Sequence, residues 1–331
     1  ESDWDEAKQR VKKSYPNSAR MNAALAQKIA DAEAQVADLE RKVKTVSIKK
    51  IKEAIKGKEV PNFFEYAYKR MEIIKSTVSY STYKAYYAAI VKFEKWVGTR
   101  DVYFDDFSVT LLNDYKNYLS KELKNGLTTQ RLSIIVLGTI FNQAIKEEII
   151  PETMFPFKKL TLKTDNTKRL FLNKDKILDL TQLKLIEGKK ANLWRDLFLF
   201  SIYAGGLRFS DVIEMQYKHY NKNEQRISKL IRKTGRPHQF KIGKVAIDIL
   251  EKYCKEGADN EDYIFPVIED KKGYERSESL RYFYTAKYNK LANWHLKKLG
   301  EKMELPFKLS FHLSRHTFAT NALNNGMRIE H

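Results

Sequence analysis

Arg208 and Asp211 stand three residues apart directly after a glycine pair, in Ala204-Gly205-Gly206-Leu207-Arg208-Phe209-Ser210-Asp211. Glycines let backbones approach closely. An arginine held there, with a carboxylate one helical turn on, presents a rigid planar fork to an anionic group. The same spacing also suits a helix end followed by a surface Arg–Asp pair. His312 and Arg315 form a second pair, at i and i+3 on a helix expected to be capped by Ser310. Both project from one face and could meet two oxygens of a single phosphate, although a solvated pair has the same spacing. His316 is expected to point elsewhere and to be structural.

A third cluster runs from Arg226 to Lys244, where Arg226, Lys229, Arg232, Lys233, Arg236, Lys241 and Lys244 place seven cations and no carboxylate in nineteen residues. Two short strands, Gln225 to Lys233 and Pro237 to Ile242, are expected to meet at Thr234-Gly235-Arg236. A hairpin with a lysine near its tip could deliver an ammonium proton donor into a nucleic-acid groove, though a plain basic face has the same composition. The chain has no Gly-rich loop ending in Gly-Lys-Ser or Gly-Lys-Thr, no His-Glu-x-x-His, no Gly-x-Ser-x-Gly and no histidines or cysteines at metal spacing. ATP, metal and serine-hydrolase chemistries lose their support, and no cofactor or metal is expected.

The order of these signals is more specific than any one of them: Arg with a following acid, Lys on a hairpin, then His-x-x-Arg, behind a helical region and a basic linker. It resembles the tyrosine recombinase (phage integrase) family. Gly-Gly-Leu-Arg-Phe-Ser-Asp-Val and Ser-Phe-His-Leu-Ser-Arg-His-Thr-Phe-Ala-Thr are similar to integrases of mobile elements in Bacteroides-type bacteria. The resemblance implies site-specific breakage and rejoining of DNA through a 3′-phosphotyrosyl intermediate. Arg208, His312 and Arg315 would surround the scissile phosphate, Asp211 would support Arg208, and Lys233 would be the general acid. Fixed cations of this kind stabilise the phosphorane-like transition state without a metal. The covalent intermediate keeps the energy of the broken bond, so rejoining needs no ATP.

In the family the nucleophilic tyrosine follows His-x-x-Arg by some tens of residues, whereas this sequence stops at His331, sixteen residues after Arg315. None of its nineteen tyrosines lies after that motif. The nucleophile is therefore expected beyond His331, and the chain as given is expected to bind DNA without cleaving it. A type IB topoisomerase, which shares such a pocket, and a non-catalytic DNA-binding recombination protein are the alternatives. The partners implied are double-stranded DNA, further copies of the chain in a tetramer on DNA, and accessory DNA-bending proteins.

The elements that must position these residues are mainly helical. Leu25, Ile29, Ala32, Val36, Leu39, Val43 and Val46 alternate steps of four and three, which predicts a long amphipathic helix. It suits packing within the chain or against a partner. Residues 61–150 read as four helices, with Gly98 ending the second, Ser108 capping the third and Thr128 or Thr129 capping the fourth. Residues 151–169 contain Lys158, Lys159, Lys163, Lys168 and Arg169 and are expected to form an extended basic linker. From residue 170 the pattern is mainly α with a small antiparallel sheet. Helices are expected at Lys174 to Leu185, Asn192 to Tyr203, Lys244 to Tyr253, Ser277 to Leu299 and Ser310 to Asn324. By resemblance, 1–57 is the end of an arm-binding region with its connecting helix, 61–150 the SAM-like core-binding domain, and 170–331 an incomplete catalytic domain.

Helix starts in the core-binding domain suggest phosphate contacts at Tyr83, Lys84, Thr128, Thr129 and Arg131, with Thr129 and Arg131 preferred. Lys168, Arg169 and Arg236 complete the DNA-binding candidates. Lys and Arg total 61 against 42 Asp and Glu, a net charge of +19 that asks for a polyanionic partner. The hydrophobic fraction of 43% excludes a disordered basic tail as the source of that charge. Cys254 is the single cysteine, which excludes an internal disulfide and fits a reducing cytoplasm, and the family resemblance implies a bacterial, nucleoid-associated cytoplasmic protein. The longest apolar runs, Ile134 to Phe141 and Leu197 to Leu207, fall short of the roughly 20 residues of a membrane span.

Overall fold

The computed structural model describes residues 3–6, 8–42, 61–165, 170–184 and 190–327. Val43, Val46, Lys168 and Arg169 lie outside this set. The chain divides into two compact units, residues 1–166 and 167–331.

The first unit opens with a small antiparallel pair, β1 (Trp4–Asp5) and β2 (Arg10–Val11), followed by α1 (Ser18–Lys42). The Asn22 amide holds this pair to the helix, accepting from the Val11 N–H at 2.7 Å and donating to the Val11 carbonyl at 3.0 Å. Ile29, on the heptad stripe, is 54% exposed, so the stripe has no packing partner there among the described residues.

Four helices then enclose an aromatic core: α2 (Phe63–Ile74), α3 (Tyr80–Val97), α4 (Val109–Lys121) and α5 (Leu127–Lys146). Phe63 lies at its centre, in ring contact with Phe64, Phe93, Phe104, Phe107 and Phe141. Edge-to-face contacts of this kind add to the burial of large apolar rings. Ser108 caps α4 by accepting from the Leu111 N–H, and Gly98 ends α3 at φ +79°. The expected caps of α5 are corrected. Gly126 takes that position, and Thr128, inside the helix, donates its N–H and hydroxyl to Asp165 at 3.4 Å. Residues 151–162 are not extended either. They form two short 3-10 turns, Glu152–Met154 and Pro156–Lys159, and pack Met154, Phe155, Phe157, Leu160 and Leu162 on the helical core. Their apolar residues outweigh the lysines that suggested a linker.

The second unit is built around α7 (Lys190–Tyr203), which is buried from Asp196 through Ile202. Preceded by α6 (Lys174–Gln182), it leads through the glycine pair into α8 (Phe209–Ile213). The sheet runs β3 (Tyr220–Asn221), β4 (Arg226–Ile231) and β5 (Arg236–Lys241), all antiparallel, with β4 central. β4 is shorter than expected and β5 starts one residue earlier, because Arg232 to Gly235 form the turn, with Ile231 opposite Arg236. Along β4, Ile227, Lys229 and Ile231 point inward while Ser228 and Leu230 point out. After α9 (Lys244–Tyr253) come α10 (Lys271–Glu275), α11 (Glu278–Lys302) and α12 (His312–Asn324). Helices α9, α11 and α12 pack on α7. The start of α12 also differs from expectation: Phe311 is its N-cap, and Ser310 contributes its carbonyl to the Leu313 N–H.

Candidate phosphate-binding pocket

Gly205 and Gly206 leave α7 at φ +72° and +68°, a conformation that strains any side chain. A Cβ at Gly206 would also lie 2.8 Å from the Phe318 ring of α12, so the loop and that helix meet only because the residue is glycine. The Gly206 carbonyl accepts from Nη1 of Arg315 at 2.6 Å. Beneath this contact two fully buried hydroxyls join the same elements. Ser201 Oγ donates to the Leu207 carbonyl at 2.7 Å and lies 2.7 Å from Ser314 Oγ, which bonds the Phe311 carbonyl. Farther along α12, Thr317 accepts from the Leu172 N–H at 3.0 Å and Asn321 donates to the Leu172 carbonyl. The loop carrying Arg208 and the helix carrying His312 and Arg315 are thus tied by buried polar contacts, which are expensive to break.

Arg208 is the N-cap residue of α8, with no side-chain capping bond and no ion pair among the described residues. Asp211 makes no ion pair with Arg208 among the described residues, although the two act on each other electrostatically. It is fully buried and its Oδ1 accepts from the backbone N–H of Arg232 at 3.3 Å, so it grips the base of the hairpin turn instead. Burial pushes its pKa up, against the opposing pull of that amide, Lys229 and Arg208. Lys229, also buried, donates its ammonium to the Glu214 carbonyl at 2.9 Å.

His312, Arg315, Arg208 and Lys233 share one field. Burial lowers the pKa of His312, and His316, Arg315, Lys233 and Arg208 lower it further. Burial and then Arg208 lower that of Arg315. The geometry joins two of these groups, since Arg315 is bonded to the loop that carries Arg208, and the two guanidiniums lack a carboxylate partner within ion-pair distance among the described residues. Mutual repulsion between such groups is relieved by a bound anion, and most by the extra charge of a phosphoryl-transfer transition state. His316 does not point away: its ring sits edge-to-face on His312, centroids 4.6 Å apart.

The hairpin's seven cations divide into two groups. Lys229 is buried, Arg232 is paired with Glu214 and Glu278, Arg226 lies near Glu224, and Lys244 near Asp248. Lys233, Arg236 and Lys241 are exposed, with no ion pair among the described residues. In the first unit Lys84, Thr129 and Arg131 are exposed on the first turns of α3 and α5. The sequence reading missed Ser201 and Ser314, and it counted Lys229 and Arg232 only as hairpin cations without their partners. Its available signal was a polar residue interrupting an apolar run, as Ser201 does in α7. Among the described residues no His, Cys, Asp or Glu group could hold a metal ion, and no helix is long and apolar enough to cross a membrane.

Two arginines, an imidazole and a hairpin lysine on a mainly helical scaffold suggest a class, and comparison with known families identifies one. Residues 170–331 match the phage integrase family, 62–161 the phage integrase SAM-like domain and 1–52 an arm DNA-binding domain. The chain belongs to the tyrosine recombinase, or phage integrase, family. Among individual relatives, tyrosine recombinase XerA of Pyrococcus horikoshii is 26% identical over 230 residues, 69% of this chain and 72% of the relative. The Tn1549 transposon integrase, solved with circular intermediate DNA, superposes with a TM-score of 0.61 at 18% identity, over 81% of this chain and 89% of that one. A lambda integrase dimer bound to a COC′ core site gives a TM-score of 0.58 at 17% identity, covering 91% and 81%.

Proposed function

We propose that this protein is a site-specific DNA recombinase that breaks and rejoins double-stranded DNA through a 3′-phosphotyrosyl intermediate. The observation that carries this is the bond from Arg315 to the Gly206 carbonyl, which joins the loop of Arg208 to the helix of His312 and Arg315, with Lys233 exposed in the nearby hairpin turn in the same electrostatic field as His312. A tyrosine phenolate attacks the scissile phosphorus, and the P–O5′ bond breaks. Arg208 and Arg315 hold the non-bridging oxygens and the neutral His312 adds a hydrogen bond, while the Lys233 ammonium gives its proton to the departing 5′ oxygen. In rejoining, a 5′-hydroxyl attacks the phosphotyrosine and returns that proton to Lys233. The attacking tyrosine is assigned to the segment following His-x-x-Arg in the complete polypeptide. Thr129, Arg131, Lys84 and Arg236, with Lys168 and Arg169, contact flanking phosphates. The active assembly is a tetramer on DNA, helped by accessory bending proteins, in the cytoplasm. The lambda integrase structures, a dimer on a core site and a tetramer on a Holliday junction, support that reading.

The test is a nicked suicide substrate carrying the element's end sequence, incubated with the complete polypeptide. A covalent protein–DNA adduct that disappears in Arg208→Ala and Arg315→Ala is expected. No adduct on any end sequence would leave a DNA-binding module without strand transfer.

A further inference from the structure

Lys233 is exposed in the turn between β4 and β5, and a flexible lysine there needs something to set its position. The preceding residue has that capacity. Arg232 spreads its guanidinium between two carboxylates from different elements: Nη1 donates to Glu214 Oε1 at 3.0 Å and Nη2 to Glu278 Oε2 at 2.6 Å. Glu214 directly follows α8, the helix whose N-cap is Arg208, and Glu278 opens α11. The backbone is held as well, since the Arg232 N–H donates to Asp211.

Each carboxylate is itself steadied. Glu214 Oε1 accepts the Tyr274 hydroxyl at 2.6 Å, and that hydroxyl also contacts Thr285 at 2.9 Å. Arg281 lies 3.9 Å from Glu214 and donates to Glu278 at 3.4 Å, with its guanidinium 5.6 Å from the Tyr274 ring. Two arginines and two glutamates balance in charge, so Arg232 is not a free cation for a DNA phosphate, unlike its neighbour.

We propose that Arg232 is a positioning residue for Lys233: by bridging Glu214 and Glu278 it fixes the hairpin turn so that the lysine ammonium reaches the leaving 5′ oxygen. The planar fork spans two acceptors at once, which a lysine at 232 could not do. This inference rests on Lys233 being the proton donor, and the experiment separates the two ideas.

Suicide substrates that give the adduct are made with either an ordinary phosphodiester or a sulfur in place of the bridging 5′ oxygen at the scissile position. A thiolate leaves without a proton, because thiol pKa values lie far below those of alcohols. Wild type, Lys233→Ala, Arg232→Gln, Arg232→Lys and Glu278→Gln are compared in the complete polypeptide, with DNA binding measured alongside. On the phosphodiester, Arg232→Gln is expected to lose cleavage by about 10²-fold, the scale of a small misplacement of a reacting group. Arg232→Lys should recover only part of this, and Glu278→Gln, which keeps the Glu214 arm, should lose less. On the sulfur substrate Arg232→Gln and Lys233→Ala should both return close to the wild-type rate, with binding unchanged.

Slow cleavage of both substrates by Arg232→Gln, while Lys233→Ala is rescued, would overturn the proposal and leave Arg232 a structural residue. Normal cleavage of both by Arg232→Gln would overturn it too. If sulfur fails to rescue Lys233→Ala itself, the assignment of Lys233 as the acid falls, and this inference falls with it.

Discussion

The guanidinium of Arg315 is bonded to the carbonyl of Gly206, 109 residues earlier in the chain, at 2.6 Å. One of the two guanidiniums of the phosphate pocket is therefore held by the loop that presents the other. The loop and α12 are joined in this way without any DNA present.

Gly206→Ala tests that arrangement. The positive φ and the 2.8 Å approach of Phe318 leave no room for a methyl group. Unfolding in urea should show a loss of about 1–3 kcal/mol, the usual cost of a non-glycine residue in this backbone region, with adduct formation falling further than stability alone explains. An unchanged midpoint and rate would mean that the loop is free to move away from α12.

Ser201 and Ser314 should behave as one unit. Ser201→Ala removes the side-chain donor to the buried Leu207 carbonyl, at a cost of roughly 1–3 kcal/mol. Adding Ser314→Ala should cost less than its single effect, because the pair's mutual contact is already gone. Strict additivity of the three unfolding free energies would show that the hydroxyls are not coupled.

Acid should weaken the second unit through His219. Burial, with Lys229 and Lys218 nearby, lowers its pKa from 6.5 to about 4, and its Nδ1 accepts from the Gln216 N–H at 3.0 Å. The unfolded chain takes up the proton first, so this contribution is complete above 6.5 and is lost as pH falls toward about 4. Denaturant titrations across that window should show a steeper loss for wild type than for His219→Gln; identical slopes would remove His219 as the cause.

Salt dependence should sort the hairpin's charges. A protein making 6–10 phosphate contacts loses about 10³–10⁵ in DNA affinity between 50 and 200 mM salt. Arg236→Ala should lower the slope of log K against log salt by about one, as expected when one phosphate contact is lost. Arg232→Gln should leave the slope unchanged, because its charge is balanced by Glu214 and Glu278. A flat wild-type response would remove DNA as the partner.

Much of this molecule is legible from local patterns. Gly98, Ser108 and the apolar stripes of α2 to α4 mark real boundaries because caps and periodicity are properties of a few neighbouring residues. The order of Arg208, Lys233 and His312-x-x-Arg315 pointed to the family for the same reason. What stayed hidden depends on distant partners. Asp211 sits one turn from Arg208 in sequence, yet it bonds the Arg232 amide, because the sheet brings that amide to the same buried spot. Cap preference favoured Thr128 or Thr129, whereas the chain uses Gly126 and brings Asp165 to Thr128. A count of hairpin cations also gave no sign that Glu214 and Glu278 already neutralise one of them.

The bonds around α12 have a consequence for the order of synthesis. Thr317 closes on Leu172, Ser314 on Ser201 and Arg315 on Gly206, spans of 145, 113 and 109 residues. Ribosomes deliver the N-terminal side first, at about 5–20 residues per second. The core-binding unit is therefore complete while α12 is still unmade. Until that helix emerges the loop between Gly205 and Arg208 lacks the bond from Arg315 that ties it down. An abortive translation product ending before α12 would thus leave Leu172, Ser201 and Gly206 without the partners that close the unit.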